Sequence, residues 1–374
     1  MKIEETPDNF QALDTVGAVG NQPSTPQGIA ALGGTEQQTA GVTQAELDRR
    51  AEAETRESTT EGQSLSPLQA SLRRLGRDRR AMFFMAVVLL FIVVSYVGPL
   101  VWTRVGPVIM AGPAGNIPTG PDQYHNYVFG DLFRQNANSS PLHPFGTDAL
   151  GRDILARLMA GVNVSIEVAL LVEIMDIGLG VTIGTLAGYY GGWLATFLDR
   201  FTDLMFAFPG LLFAILAAAT LGPVFQSRLG LPGRLILVSM ALGISVWPFM
   251  ARLVRGQTLQ LREQQFIEAS RTVGSSNGHI IMSHIVPNLF NIVIVAATLD
   301  VVNTIVSEAV ISLLGLGVQT PGSSLGLMIN DASAQIAIYP WEVVWPTLVL
   351  AILVLAFSFM GDGVQDAFNP RTKD

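Results

Sequence analysis

The chain has 374 residues, 49% of them hydrophobic and only 14% charged, and its mean hydropathy is +0.42, a balance that excludes an ordinary soluble domain. It has no cysteine, which excludes disulfides and thiolate metal sites, and its formal net charge is −8. Its two lysines, Lys2 and Lys373, lie at the ends of the chain, so a glycine-rich phosphate loop ending in Gly-Lys-Ser or Gly-Lys-Thr is excluded, and ATP binding of that type with it.

Residues 1–66 read as a disordered, acidic cytoplasmic tail. Eleven Asp and Glu up to Glu61 stand there against Lys2, Arg49, Arg50 and Arg56, and a composition rich in Gly, Gln, Thr, Ser and Pro offers too little apolar surface to bury. Within it, 45–56 has the composition of a charged helix. Residues 67–80 form a basic juxtamembrane segment, in which Arg73, Arg74, Arg77, Arg79 and Arg80 crowd the approach to the first apolar run and place the N-terminus inside. Six apolar runs follow, at 81–102, 164–190, 204–225, 235–251, 289–314 and 343–360, each near the roughly 17–25 residues that a helix needs to cross a bilayer. The first begins too far into the chain for a cleaved secretory signal and is expected to be retained. Pro248 in the fourth is tolerable because neighbouring helices can satisfy the backbone groups it frees. The expected fold is all-α and integral to the membrane, with six transmembrane helices over 81–374 and both termini cytoplasmic.

The loops support that topology unevenly. Arg252, Arg255, Arg262 and Arg271 fall inside, and the outer stretch 315–342 has no Arg or Lys, whereas Arg134, Arg152, Arg157, Arg228 and Arg234 fall outside. The outer loop 105–160 contains several Pro and Gly and the block His143-Pro-Phe-Gly-Thr-Asp148, expected to pack over the outer mouth or to contact an external partner. His143 and Asp148 are too isolated to suggest a metal, and His279 and His284, five apart, have the wrong spacing to share one α-helix face.

Intramembrane acids are costly in lipid and face a bundle interior or a wet path. Glu167, Glu173 and Asp176 lie in the second run, and Asp300, Asn303 and Glu308 in the fifth. Glu173 and Asp176, three apart, share a helix face. These residues are candidates for a translocation path that attracts a cationic group, an ammonium or a metal cation. The competing reading has them near span ends, protonated, or hydrogen-bonded to another subunit.

Between the fourth and fifth runs lies a polar segment, 255–288, containing FIEASRTVGSSNGHIIMSHIVPN. Residues 259–273 have helix-forming composition, with Leu261, Phe266, Ala269 and Val273 on one stripe. Gly274 is placed to end that helix in the left-handed region. Ser275, Ser276 or Asn277 can cap a second helix over 279–285, and Pro287 is expected to end it. The segment reads as a compact helix, break, helix knob, or else as an amphipathic hairpin lying on the membrane surface.

Glu268, Ala269, Ser270, Gly274 and Pro287 resemble the cytoplasmic EAA loop by which membrane subunits of ABC importers dock their ATPase. Ser270 stands where that loop has its second alanine, His284 where it often has isoleucine, and Val286 where it often has leucine. HPFGTDALGRDILARLMAG, GTLAGYYGG, SLLGLGVQTP and GDGVQDAFNPR are similar, in the same order, to blocks of the second permease subunit of dipeptide, oligopeptide and nickel importers, so the resemblance covers about 80–374. It implies a type I ABC importer-like permease that pairs with a second homologous permease, binds two ATP-binding subunits, and receives substrate from an extracytoplasmic binding protein. ATP and Mg would then be bound by the partner ATPase subunits, with no cofactor, metal or nucleic acid in this chain and no enzymatic activity of its own. The implied location is the inner or plasma membrane. In the docking role Glu268 would fix its helix through polar contacts, and Ala269 and Ser270 would allow close backbone approach. Glu308 matches a position where the family commonly has Glu, whereas the acids of the second run depart from its apolar pattern. Other readings are a proton-coupled secondary transporter acting alone, for which no convincing internal halves are visible, nickel rather than peptide import, and a membrane scaffold whose acidic tail recruits partners.

Overall fold

The computed structural model describes residues 67–110 and 126–368. The expected tail disorder, the 45–56 helix, Arg371 and Lys373 all lie outside those residues, as does the part of the outer loop at 111–125. Among the described residues the architecture is all-helical, with one isolated bridge between Thr147 and Asp153.

In chain order the α-helices are α1 (Pro67–Arg77), α2 (Arg79–Met110), α3 (Ile154–Tyr190), α4 (Gly192–Phe206), α5 (Gly210–Leu229), α6 (Leu231–Arg262), α7 (Gln265–Thr272), α8 (Asn277–Ile280), α9 (Val286–Leu313), α10 (Leu325–Ser333) and α11 (Trp341–Phe368). Among the described residues five helical stretches are long and apolar enough to cross a membrane by length and composition: Arg79–Arg104, Gly210–Leu229, Pro232–Arg262, Asn277–Leu313 and Trp341–Phe368. The second apolar run lies within α3, a 37-residue helix.

Two runs differ from their expected shape. The third, 204–225, is not one helix, because Ala207 closes α4 by donating to Asp203 O and Leu204 O, and Pro209 then opens α5. A residue before proline is pushed out of the α region, so the break falls at Phe208. The fourth run is longer than expected: α6 continues without interruption from Leu231 to Arg262, through Pro248, so Leu259 belongs to it and not to the polar knob.

The seam between α3 and α6 explains part of the glycine-rich block. Gly180, Gly184 and Gly188 recur every four residues and so share one face of α3. A Cβ would meet Met250 Cγ at 2.5 Å from Gly180, Ala251 O at 2.4 Å from Gly184 and Thr258 Cβ at 2.7 Å from Gly188. Small residues at this spacing let two backbones approach closely, where apolar solvent supplies no hydrophobic drive between helices. Gly184→Leu is expected to force the helices apart, at about 1–3 kcal/mol or more, and to lower the unfolding midpoint in detergent. Gly178→Ala should leave it unchanged, since nothing lies within 4 Å of that position.

Among the described residues, three of the apolar clusters position the site. Ile154, Leu158, Val162, Ile305, Leu325 and Leu353 join α3, α9, α10 and α11. Val168, Val172, Ala214, Val238 and Ile311 join α3, α5, α6 and α9. Tyr189, Met250, Val254, Ile267, Ile280 and Leu289 gather where α3 and α6 end and α9 begins, which positions the polar segment.

Candidate functional site

The polar segment is a knob built on that last cluster. Glu263 and Gln264 leave the helical path after α6, and α7 follows for eight residues. Its end is a Schellman closure: Gly274 N donates to Arg271 O at 2.9 Å and Ser275 N to Ser270 O at 3.1 Å, with Gly274 at φ +88°. The side chain of Ser276 caps α8, accepting from His279 N at 3.4 Å.

Pro287 does not end a helix. A π turn, Ile281–Ile285, connects α8 directly to α9, and Pro287 sits in the first turn of α9. A proline inside an α-helix clashes with the carbonyl four residues back and leaves it without a donor. The wider π turn, closed from Val286 N to Ile281 O, absorbs that misfit, and Asn288 Nδ2 donates to His284 O at 2.6 Å. The same turn overturns the expectation for the histidines. Residues five apart diverge on an α-helix, but here the His279 and His284 ring centroids are 5.8 Å apart, edge to face.

The knob has an anchored face and an open face. Ile267, Ile280 and Ile285 are fully buried, each contributing about 1.5–3 kcal/mol. Tyr189 of α3 donates from its hydroxyl to Asn277 Oδ1 at 2.9 Å, and the Arg271 guanidinium lies 5.4 Å from the centre of the Tyr189 ring. Arg262 reaches the carbonyls of Gly188 and Tyr189 at 3.3 and 3.4 Å, tying the end of α6 to the end of α3. On the other side Phe266, Val273 and Met282 are 43%, 86% and 69% exposed. The expected stripe thus splits: Leu261 packs inward, while Phe266, Ala269 and Val273 face out. Glu268 is exposed and its carboxylate has no partner among the described residues, so it does not fix α7 as expected. Ala269 and Pro287 are also exposed, and Ser270 is half-buried.

The intramembrane polar residues fall into two groups. Glu308, 1% exposed, accepts from Ser165 at 2.9 Å and Ser312 at 2.7 Å and is hydrogen-bonded to Ser324, so it joins α3, α9 and the cap of α10. Glu173, Asp176 and Asp300 are close enough to feel one another's charge. Both carboxylate oxygens of Glu173 and Asp176, and Oδ2 of Asp300, are buried without a hydrogen-bond partner, although Asn303 bonds the Asp300 side chain. Asn303 itself is exposed, and Glu167 is half-buried at a separate cavity of about 430 Å³ beside Tyr96 and Asn163.

The block around His143 and Asp148 is an ionic brace. Asp148 Oδ1 accepts from Leu150 N at 2.9 Å and Arg152 N at 2.8 Å, and Oδ2 accepts from Arg152 Nε at 2.7 Å and Arg157 at 2.6 Å. Arg157 then reaches Asp331 of α10 at 2.9 Å, and Arg152 reaches it at 3.4 Å. Asp153 caps α3 through Leu155 N and accepts from Trp102 Nε1 of α2 at 2.5 Å. His143 lies 3.7 Å from Asp153, and among the described residues no group of three or more His, Asp or Glu could hold a metal. Sequence reading missed this cluster, because Asp331 is remote in the chain; the signal available was two arginines so near an apolar run. It also missed the three buried isoleucines, whose spacings of 13 and 5 fit no single period.

Residues 180–374 match the family model described as binding-protein-dependent transport system inner membrane component. Residues 66–127 match the N-terminal TM domain of oligopeptide transport permease C. The chain is 33% identical over 310 residues to the dipeptide transport system permease protein DppC of Alkalihalophilus pseudofirmus, covering 83% of this chain and 92% of that one. It is 36% identical over 253 residues to the glutathione transport system permease protein GsiD of Pectobacterium atrosepticum, covering 68% and 80%. A chain of the MetNI methionine ABC transporter, in an inward-facing conformation, aligns with a TM-score of 0.45 at 20% identity, over 57% of this chain and 96% of that one.

Proposed function

The chain belongs to the family of binding-protein-dependent transport system inner membrane components, as an ABC importer permease, and from that premise we propose that it forms half of a translocation path for di- or oligopeptides. It is a multi-pass membrane protein. In this reading α2, α3, α4 with α5, α6, α9 and α11 make six crossings, with both termini in the cytoplasm. The second half of the path is a homologous permease, substrate arrives from an extracytoplasmic binding protein, and two ATP-binding subunits carrying ATP and Mg dock inside, at the inner membrane.

The observation that carries this reading is the two-faced knob. Exposed Phe266, Val273, Met282 and Glu268 stand on a base of buried Ile267, Ile280 and Ile285. A large apolar surface rimmed by polar groups marks a protein contact. Its base packs against the ends of α3, α6 and α9, so displacement at the open face reaches long helices as a rigid unit. Ala269, Ser270, Gly274 and Pro287 set the shape of that contact.

Glu173, Asp176 and Asp300 fit the path, because buried carboxylates without partners are costly unless a cation or proton meets them. The enclosed, serine-bonded Glu308 fits a brace between helices better than a lining. The peptide assignment rests on the named relatives.

Reconstitution into proteoliposomes tests the reading. Peptide uptake is expected only when the second permease, the ATPase subunits and the binding protein are all present with ATP. Proton-driven uptake by this chain alone would instead establish a secondary transporter, and ATP-driven uptake of nickel without peptide would replace the substrate.

A further inference from the structure

Transport gives no role to α1. It is a separate helix, divided from α2 at Asp78, whose Oδ1 is turned to α2 and accepts from Arg80 N at 2.8 Å and Ala81 N at 3.4 Å. One face is fixed: Ser71 and Leu75, four apart, are buried, and Leu75 joins Ala81, Val364, Ala367 and Phe368 at the end of α11. A Cβ on Gly363 would sit 2.3 Å from Ala81 Cβ, so α2 and α11 are in close contact where both leave their apolar stretches. Helix α1 therefore lies at the boundary between apolar span and water.

The opposite face is strongly basic. Arg73 and Arg77, one turn apart, and Arg74 beside them are exposed, as are Arg79 and Arg80 in the first turn of α2. None of the five forms an ion pair with a described residue, whereas Arg252 and Arg255 of α6 each hold an aspartate, Asp203 and Asp199, at 2.8 Å. Arg74 and Arg77 suit the C-terminal end of the α1 dipole, but like charges one helical turn apart repel, and Arg79 and Arg80 oppose the dipole at the start of α2. Anions would relieve that repulsion. Leu72, on the flank between the two faces, is 51% exposed. An apolar flank beside a basic face at a span boundary has the chemistry of a helix lying in the headgroup layer.

We propose that α1 and the first turn of α2 form a docking surface for anionic phospholipid headgroups, with Arg73 and Arg77 gripping phosphate and Leu72 inserted at the acyl boundary. Assignment to the cytoplasmic leaflet rests on the orientation proposed above. Lipid retention in detergent does not depend on orientation, so the two ideas fail separately.

The test uses the full-length chain in a mild detergent, titrated with phosphatidylglycerol or phosphatidylcholine and read by native mass spectrometry. Phosphatidylglycerol is expected to be retained roughly tenfold better than phosphatidylcholine, a difference of about 1.4 kcal/mol. Arg73→Gln with Arg77→Gln should lower its retention to the phosphatidylcholine level without moving the unfolding midpoint, and Arg73→Lys with Arg77→Lys should keep most of it. Equal retention by the Gln variant, or no preference in the unaltered protein, would overturn the proposal. Displacement of phosphatidylglycerol by equimolar inorganic phosphate would also overturn it, pointing to a free-anion site.

Discussion

Replacing Arg157 with leucine is expected to destabilise the protein by about 3–5 kcal/mol, because removal of one member of a buried ion cluster strands the others. Arg157 is 1% exposed and bridges Asp148, in the loop before α3, to Asp331 on α10. Its loss leaves Asp148 with Arg152 alone and removes the shorter of the two ion pairs that hold Asp331 of α10 to the start of α3. Arg157→Lys should recover only part of the loss, since an ammonium cannot span two carboxylates as the planar fork does. Asp331→Asn should cost much less, about 1 kcal/mol or below, because Asp331 is 30% exposed and water screens it. The check is the thermal unfolding midpoint of each variant in detergent. Equal midpoints for Arg157→Leu and the unaltered protein would show that the brace holds nothing together.

A comparable effect on function, with little effect on folding, is expected from Gly274→Val. Nothing lies within 4 Å of a Cβ built at Gly274, so the substitution meets no steric obstacle from neighbours. The penalty is in the backbone: φ is +88°, a region that costs an L-residue roughly 1–2 kcal/mol, and more when it is β-branched. The chain relieves that strain by opening the closure between Gly274 N and Arg271 O, and between Ser275 N and Ser270 O, which sets α7 against α8. Phe266 and Val273 then shift relative to Met282, and the exposed face proposed for docking loses its shape. ATP-driven uptake should fall at least tenfold, while the amount of protein in the membrane stays within about twofold. Gly274→Asn is the informative companion, because asparagine tolerates the left-handed region and should keep most transport. Full uptake by Gly274→Val would remove the turn from the coupling mechanism.

At Pro287 and at the His279, His284 pair the structure departs from expectation through one feature: a single π turn takes up the misfit of the proline and changes the α-helical period on which the histidine spacing rests. Helix α6 runs past its apolar stretch because Thr258 is buried with its hydroxyl on Val254 O at 2.8 Å, which lets a polar residue sit inside the α3 and α6 seam. Glu308 and Glu173 are both acids within apolar runs, and the hydrogen bonding of each is decided by folding: Ser165, 143 positions away, lies beside Glu308, while neither carboxylate oxygen of Glu173 has a partner among the described residues.

The sequence by itself determined the membrane class, the absence of a phosphate loop, the positions of the apolar runs and the glycine turn of the knob. Those properties depend on composition or on residues within one or two helical turns, where hydropathy and backbone sterics act locally. Only the tertiary structure decided which face of the knob is anchored, which acids are satisfied and what Arg152 and Arg157 hold. Each of those depends on partners brought together by folding, as Ile267 is to Tyr189 and Arg157 to Asp331, and no local pattern encodes contact across so many residues.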